Sequence, residues 1–195
     1  PVFYIDALMS FLNKKYYVSL LNAASFYGAS HQRAQTFSVM TEAPKLRNTV
    51  KAGTYILFFS KKNIPKKYIR SHKAQSGYVK VASPELTAID LIENEKHIGG
   101  LNRVCTVLNE LVDSIDFDKL NKDFFDLAPT PIYQRLGYIL ESVLEREDLA
   151  DIFKSKFPLS LTTRNVPFKI GKSTEDCEID KKWKIIINQG IEIDE

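Results

Sequence analysis

The sequence predicts an α/β fold of the α+β kind: one domain over residues 1–195, a mixed β-sheet of about five strands with helices packed on it, and a helical segment inserted before the last strands. Three stretches carry that expectation. Tyr78-Val79-Lys80-Val81-Ala82 reads as a strand that runs directly into a helix, Tyr55 to Phe59 is an unbroken apolar run of strand length, and Leu101 to Ile115 keeps a three-four apolar rhythm.

The junction after Ala82 is the sharpest local signal. Ser83 stands where an N-cap belongs, its hydroxyl able to accept from a first-turn amide, and Pro84 follows at N1, where a missing N–H costs nothing. Glu85 then meets the positive end of the helix dipole, and Leu86, Ile89 and Ile92 form a stripe to lay on a sheet. At a spacing of five, Glu85 and Asp90 fall about 140° apart around a helix. They are expected on a solvated face rather than as a catalytic or metal pair.

Residues 1–13 read as a loose helix, and Tyr16 to Tyr27 as a second one closed by Gly28. The pair does not make a convincing helix-turn-helix, because Ser19, Asn22 and Ser25 offer bases almost nothing. A polar connection over residues 29–35 leads to a strand at Thr36 to Met40. After the strand at Tyr55 to Phe59, the basic stretch Ser60 to Lys73 contains Pro65 and is expected as an exposed connection or a short helix. Gly99-Gly100 marks a break before the Leu101 helix. A short helix around Asp118 to Leu127 and another from Pro131 follow, the latter turning Ile132, Leu136, Ile139 and Leu140 inward. Val166 to Ile170 and Trp183 to Ile187 return to a strand pattern.

Composition narrows the functions. The chain has 195 residues, is 44% apolar and carries two cysteines, so it can build a core without disulfides. Cys105 is expected as a small core residue and Cys177 in a polar loop, both free thiols of a reducing cytoplasm. No apolar run reaches membrane length, and the start lacks the marks of a signal peptide, so a soluble cytoplasmic protein is expected. Its first residue is proline, which suggests removal of something upstream.

The net charge of +3 hides a polarity. Between Ala43 and Pro84 there are ten basic residues and no acidic one, leaving 17 basic against 24 acidic residues elsewhere. Within that run Lys61, Lys62, Lys66, Lys67, Arg70 and Lys73 are the candidate site for nucleic acid or another anionic partner. Lysine predominance suits phosphate attraction better than bidentate reading of bases.

Chemistry is hard to find. His31, His72 and His97 lie in separate segments without ligand spacing, no phosphate-binding glycine loop occurs, and neither cysteine has a local base. Asp180-Lys181-Lys182 is the nearest approach to the acid-beside-lysine of a metal-dependent nuclease, and a solvated turn explains it as well. No cofactor, metal or catalytic residue is expected, nor an enzyme.

Tyr16 to Gln32 (YYVSLLNAASFYGASHQ), Gly77 to Leu91 (GYVKVASPELTAIDL) and Gly99 to Leu111 (GGLNRVCTVLNEL), with Gln134 to Leu140 (QRLGYIL) and the tail from Trp183 to Glu195, resemble the C-terminal region of the AbiEi family, the antitoxins of type IV toxin-antitoxin systems. That resemblance implies an antitoxin of bacterial abortive infection, a phage defence, which counteracts a nucleotidyltransferase toxin. It also implies an autoregulating repressor whose operator DNA is bound by an N-terminal winged-helix domain missing here, with residues 1–13 as a possible linker helix from it. The alternatives are a degenerate or cryptic nuclease and a pure protein-interaction module.

Overall fold

A computed structural model describes residues 1–30, 35–75, 77–158 and 163–193. The mixed α/β class holds, and the chain divides into two compact units, Pro1–Asp90 and Leu91–Glu195.

The first unit opens with helix α1 (Ile5–Phe11), strand β1 (Tyr16–Val18) and helix α2 (Leu20–Phe26). Tyr16 to Val18 was expected inside a helix, and the structure corrects this. Three aromatic and β-branched residues favour the extended form, and Leu20, fully buried, holds the left-handed φ of 55° that turns strand into helix. Helix α2 ends as its sequence predicts. Gly28 takes φ 78°, its amide donates to the Ser25 carbonyl at 3.3 Å, and the Ala29 amide donates to the Ala24 carbonyl at 3.1 Å, which is a Schellman ending.

Strands β2 (Thr36–Glu42), β3 (Thr49–Lys51), β4 (Thr54–Lys61), β5 (Ile69–Ala74) and β6 (Gly77–Ala82) complete a six-stranded mixed sheet ordered β3-β4-β2-β1-β6-β5. Strand β2 lies parallel to β4 and antiparallel to β1, with Met40 opposite both Phe59 and Tyr17. The expected connection at residues 60–73 is instead a 3-10 turn at Lys66–Tyr68 followed by the edge strand β5, paired antiparallel with β6.

Helix α3 (Pro84–Glu93) starts as expected, with the Leu86 amide reaching the Ser83 hydroxyl at 3.4 Å. Its polar face is not solvated. Glu85, Thr87 and Asp90 are buried together with Leu86, Ala88 and Ile89.

The second unit contains helices α4 (Leu101–Leu111), α5 (Lys122–Phe125), α6 (Thr130–Tyr138, prolonged by a π-turn over Ile139–Val143) and α7 (Glu147–Lys156). The apolar stripe of α4 is buried from Leu101 to Leu111, with Cys105 in it. Burial also pushes the Cys105 thiol up to about 12.

The closing strands, expected from sequence to belong to the one mixed sheet, form a separate sheet instead. Strands β7 (Val166–Pro167), β8 (Ile179–Asp180) and β9 (Ile185–Ile186) make a small sheet of their own, ordered β7-β9-β8. Helix α6 holds it through side chains. Gln134 Nε2 donates to the carbonyls of Arg164 at 2.9 Å and Trp183 at 2.8 Å, and Arg135 Nε donates to those of Pro167 and Phe168, each at 3.1 Å.

Gly137 shows why that helix has no side chain at one point. A Cβ there would clash with the indole ring of Trp183, at its Cζ3, Cε3 and Cη2 atoms. Gly137→Ala is expected to destabilise the protein by about 1–3 kcal/mol, the usual cost of overpacking. Thermal denaturation followed by fluorescence of Trp183, the single tryptophan, checks this, and an unchanged melting curve would refute the packing argument.

Candidate functional site

Of the six basic residues singled out from sequence, five are exposed: Lys62, Lys66, Lys67, Arg70 and Lys73. Lys61 is different. As the last residue of β4 it projects on the same sheet face as Phe59, and its ammonium lies 2.9 Å from Asp90 Oδ1 of α3. The Lys61 side chain keeps 11% of its surface and Asp90 none, so this lysine is engaged in a buried ion pair rather than held out to a partner. Tyr17 donates its hydroxyl to the other oxygen of Asp90 at 2.9 Å. Tyr17, Met40 and Phe59 are cross-strand neighbours on one face of β1, β2 and β4, so two strands of the sheet converge on one carboxylate.

The remaining five are placed by the turn and strand that follow. Lys66 and Lys67 sit on the 3-10 turn, with the Lys67 ammonium 5.6 Å from the centre of the Tyr68 ring. Arg70 donates through Nη1 to the Lys67 carbonyl at 3.0 Å. Because side chains alternate along β5, Ile69, Ser71 and Lys73 share one face, while Arg70 and His72 turn to the other. Ser71 stands opposite Lys80 and Lys73 opposite Tyr78, which extends the first of those faces onto β6.

That face leads into a concavity of about 310 Å³ lined by Lys15, Tyr16, Ile64, Lys66, Ile69, Ser71 and Lys80. Sequence reasoning picked out Lys66 alone of these as a site residue. The pairing of β5 with β6, which brings in Lys80, is a tertiary fact, although the alternation of Ile69, Ser71 and Lys73 was available as a signal.

The other candidates from sequence are structural. Asp180 Oδ1 accepts the Trp183 amide at 2.6 Å, and the Lys182 ammonium bonds Glu141 at 3.0 Å and Asp151 at 2.8 Å. Among the described residues no group of three or more His, Cys, Asp or Glu is arranged to hold a metal ion. Nor is any helix of the described residues long and apolar enough to cross a membrane. His31 lies outside the described residues. His72 packs its ring 5.0 Å from Phe26 and 5.6 Å from Tyr27.

A family model for the AbiEi antitoxin C-terminal domain matches residues 17–142. This chain belongs to the AbiEi antitoxin family. No curated protein matches its sequence. Among solved structures, the AbiEi domain is similar to the RV2827C protein of Mycobacterium tuberculosis, with a TM-score of 0.66 at 14% identity, covering 93% of this chain and 66% of that one. The chain thus spans just under two thirds of its mycobacterial relative, and the likeness establishes a shared fold. It is also similar to an antigenic nucleotidyltransferase-like protein from Paracoccidioides brasiliensis, with a TM-score of 0.48 at 11% identity over 80% of this chain and 91% of that one. At that level of similarity nothing about the AbiEi domain follows from it.

Two outcomes follow from the geometry. Lys61→Ala strips a buried carboxylate of its cation and is expected to cost about 3–5 kcal/mol, whereas Lys62→Ala, one residue on and exposed, is expected to stay within about 0.5 kcal/mol. Urea denaturation of the two variants decides this, and equal stabilities would refute the buried pair. Burial lowers the pKa of His72, so the folded state takes up its proton less readily than the unfolded one. Its contribution to stability is therefore present above the unfolded histidine value of about 6.5 and is lost as the pH falls from there through the lower folded value. His72→Gln should flatten the dependence of Tm on pH below about 6.5. An unaltered slope in that window would remove His72 from the account.

Proposed function

We propose that this domain is the antitoxin part of a type IV toxin-antitoxin pair, counteracting a cognate nucleotidyltransferase toxin in the cytoplasm as part of phage defence. The observation that carries the reading is the match of residues 17–142 to the AbiEi antitoxin C-terminal domain. In this reading the domain works by surface contact rather than by catalysis. Its exposed cations Lys62, Lys66, Lys67, Arg70 and Lys73 face a phosphate-bearing partner, nucleic acid being the chemistry that a lysine-rich surface attracts most readily. A winged-helix domain preceding this one in the whole protein would read operator DNA and give autoregulation.

What supports the electrostatic part is the run of basic residues without an acidic one from Ala43 to Pro84. With Lys61 committed to Asp90, the cations of this run that remain exposed from Lys62 onward lie on or beside the turn and edge strand at residues 66–74 and their partner strand. The nuclease alternative has no observation in its favour, since Asp180 and Lys182 are taken up by Trp183, Glu141 and Asp151.

Co-expression of the protein with its cognate toxin is the test. The wild-type chain is expected to restore growth, and joint reversal of Lys62, Lys66, Lys67 and Lys73 to Glu is expected to reduce rescue at least about tenfold in colony count, while leaving the far-UV spectrum unchanged because all four are exposed. Persistent toxicity beside soluble wild-type protein would overturn the antitoxin reading. Full rescue by the charge-reversed protein would overturn the role given to the lysines.

A further inference from the structure

The concavity beside β5 combines two chemistries that rarely meet by chance. Its apolar lining is Ile64 and Ile69, with Tyr16 beneath, 2% exposed and with the Lys80 ammonium 5.4 Å from the centre of its ring, and Lys15, Lys66, Lys80 and Ser71 complete it. Two of the ammoniums already have carboxylates nearby. Lys15 lies 2.8 Å from Glu42 Oε1, and Lys80 lies 3.9 Å from Asp6 Oδ1, which also accepts the Tyr16 hydroxyl at 2.8 Å. Lys66 makes no ion pair among the described residues, and its side chain is exposed at the pocket. Three cations against Asp6 and Glu42 leave one positive charge unmatched.

A ligand that fits must bring net negative charge and a flat, weakly polar surface of small extent. A carboxylate side chain would answer the charge and leave the wall bare, and a purely apolar group would cover the wall and strip water from the lysines. At about 310 Å³ the space lies at the small end of ligand sites, so it takes one planar group and not a duplex groove. We propose that this pocket holds one nucleotide unit, its base against Ile64 and Ile69 and its phosphate at Lys66, supplied either free or as an unpaired residue of a nucleic-acid strand.

The inference deepens the reading of the basic surface above by naming what that surface receives. The chemistry is familiar from single-strand binding, where base faces meet apolar side chains and the backbone meets cations.

The test uses the 195-residue chain and two kinds of probe. Adenosine and uridine 5′-monophosphates are titrated by calorimetry, and a fluorescein-labelled single-stranded oligonucleotide is compared by anisotropy with its duplex and with the same strand made abasic. Binding of the single strand is expected to be at least about tenfold tighter than that of the duplex or the abasic strand. Lys66→Ala should weaken it about fivefold and lower the salt dependence by about one phosphate contact, whereas Lys122→Ala, exposed on α5 and outside the basic run, should change it less than twofold. Ile64→Ser should weaken the base-bearing strand and leave the abasic one as it was. Binding of a free monophosphate with the same dependence on Lys66 assigns the free nucleotide; binding of the strand alone assigns the unpaired residue. Equal affinity for single strand, duplex and abasic strand overturns the proposal, as does binding to none of the probes. Growth rescue without nucleotide binding would defeat this inference alone, and nucleotide binding without rescue would defeat the antitoxin reading alone.

Discussion

A carboxylate without contact to water organises the first unit. Asp90 cannot lie buried in α3 as an isolated charge, since the cost of desolvating it would exceed the stability of an ordinary domain. It is there because Lys61 and Tyr17 come from two separate strands to meet it. In the folded sheet the register of β1 and β4 brings these two side chains onto the same carboxylate. Such a pair contributes little net energy compared with an apolar one of the same shape. What it contributes is a fixed position of Asp90 against Tyr17 of β1 and Lys61 of β4. The same commitment removes Lys61 from the basic surface and leaves its sequence neighbour Lys62 on it.

The second unit solves a different problem by related means. Its small sheet has strands of two residues each, far too short to order themselves by ladder hydrogen bonds. Side chains of α6 do that work: Gln134 and Arg135 bond the carbonyls of Arg164, Trp183, Pro167 and Phe168. Lys169 adds an ion pair to Glu95 at 2.7 Å. Gly137 lets the indole of Trp183 lie flat against the same helix, with Phe153 stacked 5.8 Å beyond it. The short sequence Gln134 to Leu140 is thus a structural bracket.

Local signals were legible in the sequence, and distant ones were not. Ser83-Pro84, Gly28 and the rhythm of α4 each depend on neighbours within a few residues, and each takes the form its residue types require. Strand β1 was hidden because Leu20 continues a helical spacing while its backbone turns left-handed. Strand β5 was hidden by its charges, although lysine on an edge strand also discourages pairing with other chains. The burial of Asp90 could not be read from helical spacing, since its partners lie 73 and 29 positions earlier and only the folded sheet brings them together. Lys61 and Lys62 looked like one doublet for the same reason. The pocket was half legible: Lys66 and Lys80 were counted in the basic run, while Lys15 and the apolar wall were not.

The Gln134 bond to the carbonyl of Trp183 spans 49 positions of chain. During synthesis helix α6 leaves the ribosome with its amide and guanidinium groups aimed at carbonyls that do not yet exist, and with a notch at Gly137 open to whatever apolar group arrives first. Until Trp183 emerges, that notch has no indole to close it.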